Sequence, residues 1–218
     1  MTIESQSNIE WFRDRLLIWS KEYLRDYPWR KTSNPYNILI AEFFLQKTDA
    51  DTVAPIYESF LVRYPTLDLL IAADVGDIAD LMKPLGLFFR AERLSRTAQA
   101  IAERYGGKVP QTESELLKLP GIGNYTARAI LSQAFDLPAA VMDTNVARIL
   151  ERFFGIKGER VKSRCKILWG SADRIAPKTN VGHWNLTLLD FGALICTARS
   201  PKCSKCPLAL KCYWFSSN

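Results

Sequence analysis

Residues 114–154, SELLKLPGIGNYTARAILSQAFDLPAAVMDTNVARILERFF, decide the fold. Leu116, Leu117 and Leu119 belong to an apolar helix that Pro120 and Gly121 end, because proline cannot continue the hydrogen-bond ladder and glycine tolerates a left-handed backbone. Gly123 releases a second helix, whose apolar positions Ala127, Ile130, Leu131, Ala134 and Phe135 recur at helical spacing. The intervening Leu119-Pro120-Gly121-Ile122-Gly123 is therefore a hairpin between two packed helices. Past Pro138, apolar Ala139 to Met142 leads into Asp143-Thr144-Asn145 and a third helix with Val146, Ile149, Leu150 and Phe153 facing inward. Asp143 stands at the entrance of that helix, where a carboxylate serves as an N-cap.

The hairpin leaves backbone N–H groups unpaired at a helix N-terminus, beside glycines that permit close approach. That is an anion site suited to a nucleic-acid phosphate, although an ordinary helix–helix turn has the same pattern. Composition agrees with a polyanionic partner without identifying one: 29 Lys and Arg against 23 Asp and Glu give the 218-residue chain a net charge of +6. At 48% hydrophobic, it can bury one substantial core or two small lobes. No window offers the roughly 18 apolar residues of a membrane span, and the polar Met1 to Gln6 lacks a signal-peptide core, so a cytoplasmic protein without membrane contact is expected.

Toward the N-terminus, Asn8 to Tyr23 reads as an amphipathic helix with Ile9, Phe12, Leu16, Ile18 and Trp19 largely on one side. After Tyr27-Pro28-Trp29-Arg30 comes the most apolar helix, ILIAEFFL over 38–45, with seven apolar side chains and one carboxylate, Glu42. Glu42 lies either on a solvated strip or in an apolar setting that raises its pKa and keeps it protonated near neutral pH. Further apolar stripes at Val53, Ile56, Tyr57 and Phe60, and at Leu94, Ala98 and Ile101, with no sustained strand alternation, make the chain all-α. Lys157, Arg160, Lys162 and Arg164 form a basic surface; Cys165 is expected as a small buried hydrophobe, and His183 has no role.

Cys196, Cys203, Cys206 and Cys212 are spaced C-x6-C-x2-C-x5-C. Disulfides are disfavoured in a reducing compartment. Structural zinc commonly uses two short C-x2-C knuckles, and only one is present; a [4Fe–4S] cluster also takes four thiolates from one loop. Arg199, Lys202, Lys205 and Lys211 give this loop a positive charge.

Leu119-Pro120-Gly121-Ile122-Gly123 with Asp143 twenty positions beyond Gly123, Glu42 in its apolar helix, and the four-cysteine spacing resemble the helix-hairpin-helix DNA glycosylases of the endonuclease III and MutY superfamily. Within it the pattern is nearest to the archaeal thymine mismatch glycosylases and the MutY catalytic domain. The resemblance runs from Tyr27-Pro28-Trp29-Arg30 to Cys212. It implies two helical lobes, 25–135 and 1–24 plus 136–218, around a cleft for an extruded nucleotide. It implies a [4Fe–4S] cluster on Cys196, Cys203, Cys206 and Cys212, and double-stranded DNA containing a mismatch as the partner of a monomer. Gly121, Ile122 and Gly123 would hold a DNA phosphate, Lys47 would stand where MutY wedges a glutamine into the duplex, and Phe88, Phe89, Arg90 and Arg93 would lie in a DNA-facing loop or in core and solvated positions.

Asp143 and Glu42 are the implied catalytic pair: Asp143 ionised, its pKa lowered by the helix N-terminus, and Glu42 protonated as general acid. Tyr125 occupies the place of the lysine with which bifunctional relatives attack the sugar, so hydrolysis by water without strong lyase activity is expected. Leu45-Gln46-Lys47-Thr48, the Ile38-Leu39-Ile40 approach and an end six residues after Cys212, which leaves no room for an appended MutY-type domain, favour thymine or uracil opposite guanine as the excised base. Tyr125-Thr126-Ala127 and Asn145-Val146-Ala147-Arg148 favour adenine opposite guanine or 8-oxoguanine. Readings of other classes are a non-catalytic iron–sulfur DNA-binding module and a zinc-stabilised helical adaptor.

Overall fold

The computed structural model describes residues 5–86 and 90–217, so Phe88 and Phe89 of the expected loop lie outside the described residues. Among the described residues every regular element is helical, and no helix is long and apolar enough to cross a membrane. Two compact units form, residues 26–135 and residues 1–25 with 136–218.

In the unit of residues 26–135, a short 3-10 turn at Pro28–Arg30 stacks Trp29 on Tyr27 with ring centroids 4.8 Å apart. Helix α2 (Pro35–Phe44) follows; the Asn34 side chain accepts the Tyr36 and Asn37 N–H groups, and Pro35 brings a preset helical φ. Eight α2 side chains are buried, including Ile38, Leu39, Ile40, Phe43 and Phe44. Ile38, Leu39, Ile40, Phe43 and Phe44 each contribute about 1.5–3 kcal/mol when fully buried, which drives α2 against its neighbours. Helices α3 (Ala50–Arg63), α4 (Leu67–Ile71), α5 (Val75–Met82) and α6 (Ala91–Tyr105) continue the unit, with Val53, Tyr57 and Phe60, and then Leu94, Ala98 and Ile101, buried.

The hairpin is made by α7 (Glu113–Leu116) and α8 (Asn124–Ala134), and α8 packs on α2. The first arm is shorter than the apolar pattern implied. Helix α7 stops at Leu116, Leu117 is 40% exposed, and Leu119 closes a turn back to the Leu116 carbonyl at 3.0 Å. Thr112 caps this arm and Pro120 forbids its extension, so only one helical turn forms. In α8, Ala127, Ile130 and Leu131 are buried as expected, whereas Ala134 and Phe135 at its frayed end are half-buried.

The other unit begins with α1 (Gln6–Tyr23), which buries Ile9, Phe12, Leu16 and Trp19. Ile18 is 59% exposed, because its helical angle departs from the stripe set by the other four. Helix α9 (Thr144–Phe154) packs on α11 (Val181–Leu194), with α10 (Lys166–Ile175) alongside, and α12 (Tyr213–Ser216) ends the described chain. Cys165 is fully buried, as expected of a small hydrophobe. Within this unit Asp190, fully buried, is paired by Arg25 through its backbone N–H and its guanidinium.

Gly121 has φ +80°, and a Cβ there would lie 2.5 Å from Arg93 Cδ and 3.1 Å from a Phe43 ring carbon. Gly121→Ala should therefore destabilise by about 1–2 kcal/mol or more. Gly170, mid-helix in α10 with open space around it, should respond with the opposite sign, Gly170→Ala stabilising by about 0.5–1 kcal/mol. Urea unfolding of the two variants checks both.

Candidate active site and DNA interface

Residues 26–135 hold Glu42, Lys47, Gly121, Ile122, Gly123 and Tyr125; the other unit holds Asp143 and the four cysteines.

Glu42 is only 5% exposed. Burial among the apolar side chains of α2 pushes its carboxyl up to about 8, against the opposing influence of Gln133, whose Nε2 donates to Oε1 at 3.5 Å. The solvated-strip alternative is thus overturned: the one carboxylate of this helix faces inward and holds its proton at neutral pH.

Just past α2, Lys47 is exposed and has φ +58°, a left-handed backbone that a lysine adopts at a cost of about 1–2 kcal/mol. Its neighbours hold the turn. Arg90, 8% exposed, donates from Nη1 to the Gln46 carbonyl at 2.7 Å, and Gln46 Nε2 donates to the Gly121 carbonyl at 3.3 Å. Arg90 is therefore an internal tie and not a residue of a solvated basic face, while Arg93 is exposed.

Inside the hairpin, Thr97 Oγ1 donates to the Pro120 carbonyl and Ile122 is buried. Gly123 caps α8 without a side chain, so nothing from the cap residue occupies the first N–H groups of the helix. A cavity of about 410 Å³ beside the turn is lined by Glu92, Arg93, Arg96, Pro120 and Gly121. Tyr125, half-buried, stands on the first turn of α8.

Asp143 caps α9: its Oδ1 accepts the Val146 N–H at 2.7 Å and its Oδ2 accepts Asn145 Nδ2 at 2.8 Å. Here one expectation is corrected. The helix N-terminus was expected to lower this pKa, but the pKa is raised, because desolvation outweighs the bonds from Val146 and Asn145 and the nearby Arg148 charge. The segment before it is clamped by buried Asn185, which donates to the Ala139 carbonyl and accepts the Val141 N–H. Beyond it runs a polar chain: Arg148 Nη2 donates to Asn145 Oδ1 at 2.7 Å, and Arg148 Nε to the Cys196 carbonyl at 2.7 Å.

No disulfide joins the four cysteines, which share one loop, and Cys196, Cys212 and Cys203 all act on Cys206. No three Cys, His, Asp or Glu groups among the described residues converge to hold a single ion. Arg152 Nη1 lies 3.5 Å from Cys196 Sγ and donates to the Thr197 carbonyl at 2.7 Å, and the Leu208 N–H donates to Cys206 Sγ at 3.4 Å. Four neighbouring thiols with N–H donors to sulfur fit an iron–sulfur group. Burial pushes the Cys206 thiol up to about 11, so loading must expel its proton.

Sequence reasoning gave no site role to Gln133, Asn145, Arg148, Arg152 and Asn185. Gln133 carried a usable signal: a polar residue in the apolar run Ala129 to Phe135, as Glu42 is in its own helix. The bonds of Arg148 and Arg152 to the cysteine loop carried none, since the carbonyls they reach are about 45 residues away.

Residues 40–171 match the HhH-GPD superfamily of base excision DNA repair proteins, and residues 196–209 match the iron-sulfur binding domain of endonuclease III. The chain is 38% identical to a thymine/uracil-DNA glycosylase of Methanothermobacter thermautotrophicus, over 92% of this chain and 90% of that protein. It is 36% identical to an adenine DNA glycosylase of Buchnera aphidicola subsp. Baizongia pistaciae, over 95% of this chain and 59% of that one. A thermostable thymine-DNA glycosylase superposes with a TM-score of 0.93 at 36% identity, covering 97% of this chain and 98% of that one.

Glu42 ionises near 4.5 in the absence of burial and near 8 in the fold, so the folded state holds an extra proton between these values. Its contribution to stability is complete below about pH 4.5 and is lost as pH rises through about 8. Glu42→Gln, neutral at every pH, should therefore gain melting temperature relative to the parent at pH 9, with the difference vanishing near pH 5. Thermal unfolding at the two pH values checks this.

Proposed function

Because this chain belongs to the HhH-GPD superfamily of base excision DNA repair proteins, we propose that it is a monofunctional DNA glycosylase hydrolysing the N-glycosidic bond of thymine or uracil mispaired with guanine. The observation that carries the reading is a carboxyl group, Glu42, kept protonated by burial in a chain that matches a thymine/uracil-DNA glycosylase over nine-tenths of both proteins. The enzyme acts as a cytoplasmic monomer on mismatched duplex DNA. A mispaired base leaves the stack at lower energetic cost than a paired one, which begins the selectivity.

Breaking the bond between sugar and base builds positive charge on the sugar and negative charge on the base. Glu42 gives its proton to the departing base. Asp143, held by the Val146 N–H and Asn145, with the Arg148 charge nearby, is the carboxylate that balances the sugar cation while water adds. Tyr125 offers no amine, so no Schiff base forms and the strand stays intact. The hairpin of Gly121, Ile122 and Gly123 holds a phosphate through the Gly121 and Gly123 amides, since the Ile122 N–H closes the turn to the Leu119 carbonyl at 3.3 Å, and Lys47 enters the duplex beside the extruded base. Cys196, Cys203, Cys206 and Cys212 would hold one [4Fe–4S] cluster, which would fix the fold of the basic C-terminal loop.

The identity with an adenine DNA glycosylase keeps adenine as the second reading. Single-turnover excision from duplexes carrying T:G, U:G, A:G and A:8-oxoguanine decides between them, with thymine and uracil expected to leave faster; faster adenine release reverses the choice of base. In the same assay Asp143→Asn should lower the rate by about a hundredfold or more while DNA affinity stays within a few-fold of the parent.

A further inference from the structure

Gln133 lies near the end of α8, two turns beyond Tyr125, on a helix whose neighbours Ala129, Ile130 and Leu131 are buried. Its amide nitrogen is the hydrogen-bond donor to Glu42, meeting Oε1 at 3.5 Å from across the α2–α8 packing. Gln133 is itself half-buried, so the amide spans from the closed interior toward the solvated side. A carboxyl group that must deliver a proton has two oxygens, and only one can carry it. An N–H donor on Oε1 disfavours a proton there, since the two hydrogens would compete for one site. We propose that Gln133 is a positioning residue for the general acid: its amide occupies Oε1 of Glu42 and fixes the acid proton on Oε2, the atom left to meet the departing base. This rests on Glu42 being that acid.

The same bond has a consequence for pH dependence. An N–H donor favours the ionised carboxylate, so Gln133 works against burial. The titratable and charged groups on the elements packed against α2 are Tyr125 and Arg128 on α8, Asp51, Tyr57, Glu58 and Arg63 on α3, and Arg30 on the 3-10 turn. Arg128 is engaged by Glu113 and Asp51 by the Tyr27 hydroxyl. Burial and Gln133 set the Glu42 pKa. Removing the amide leaves burial unopposed, and the acid then keeps its proton to higher pH.

The test is the pH profile of single-turnover excision on a T:G duplex, from pH 5 to 10, for the holoenzyme and for Glu42→Gln, Gln133→Leu and Gln133→Met. Activity of the parent should fall with rising pH through a limb near 8. Glu42→Gln should abolish that limb. Each Gln133 variant should move it to higher pH by about half a unit or more and lower the plateau rate three- to tenfold, with DNA affinity unchanged. Gln133→Met keeps the length and flexibility of the side chain without the donor, so the experiment stands if the leucine variant folds poorly. A limb that stays in place in both Gln133 variants while Glu42→Gln removes it overturns the role of Gln133 and leaves the acid standing. A limb that survives in Glu42→Gln overturns the acid itself. A purely structural Gln133 would lower the melting temperature and leave the limb where it is.

Discussion

Packing α2 against α8 is the constraint from which much of the candidate site follows. An almost wholly apolar helix has no solvated face on which to place its one carboxylate, so Glu42 enters the interior and its charged form becomes expensive. The same contact brings Gln133 to Glu42, and Gln46, just past the end of α2, to the Gly121 carbonyl. The hydrophobic effect that folds this unit therefore also sets the protonation state of a carboxyl group and joins the Lys47 turn to the hairpin. Gly121 is required there twice over, for its positive φ and for the space that Arg93 and Phe43 fill.

Helix α9 does comparable work in the other unit. Asp143 caps its first turn, and Arg148 and Arg152, one turn apart on one face, direct their guanidinium groups at the Cys196 and Thr197 carbonyls. The backbone of the cysteine loop is thus tied to α9 by arginine side chains. Asp143 is held from both sides, by Asn185 through the segment that precedes it and by Asn145 and Arg148 after it. Its raised pKa marks the price of a buried cap, and the hydrogen bonds around it limit the rise.

The helical class, the hairpin, the cap at Asp143 and the inward-facing Glu42 were legible because each is a local signal: a period, a Pro-Gly break, a lone polar residue in an apolar run. Helix α7 was overestimated because leucine spacing continues past the point where Pro120 and the Thr112 cap leave room for one turn only. The sign of the Asp143 shift was missed for a related reason. A helix N-terminus is visible in the sequence, whereas desolvation depends on how the chain packs around the cap. Contacts from side chain to distant carbonyl, such as those of Arg90, Arg148 and Arg152, leave no trace in spacing or composition.

The central claim, that burial keeps Glu42 protonated at neutral pH, is tested most directly by following its side-chain carboxyl carbon by NMR from pH 4 to pH 10, with Glu42→Gln used to assign the resonance. The structure predicts a titration centred near 8. A midpoint near 4.5, the ordinary value for a glutamate, would contradict the account.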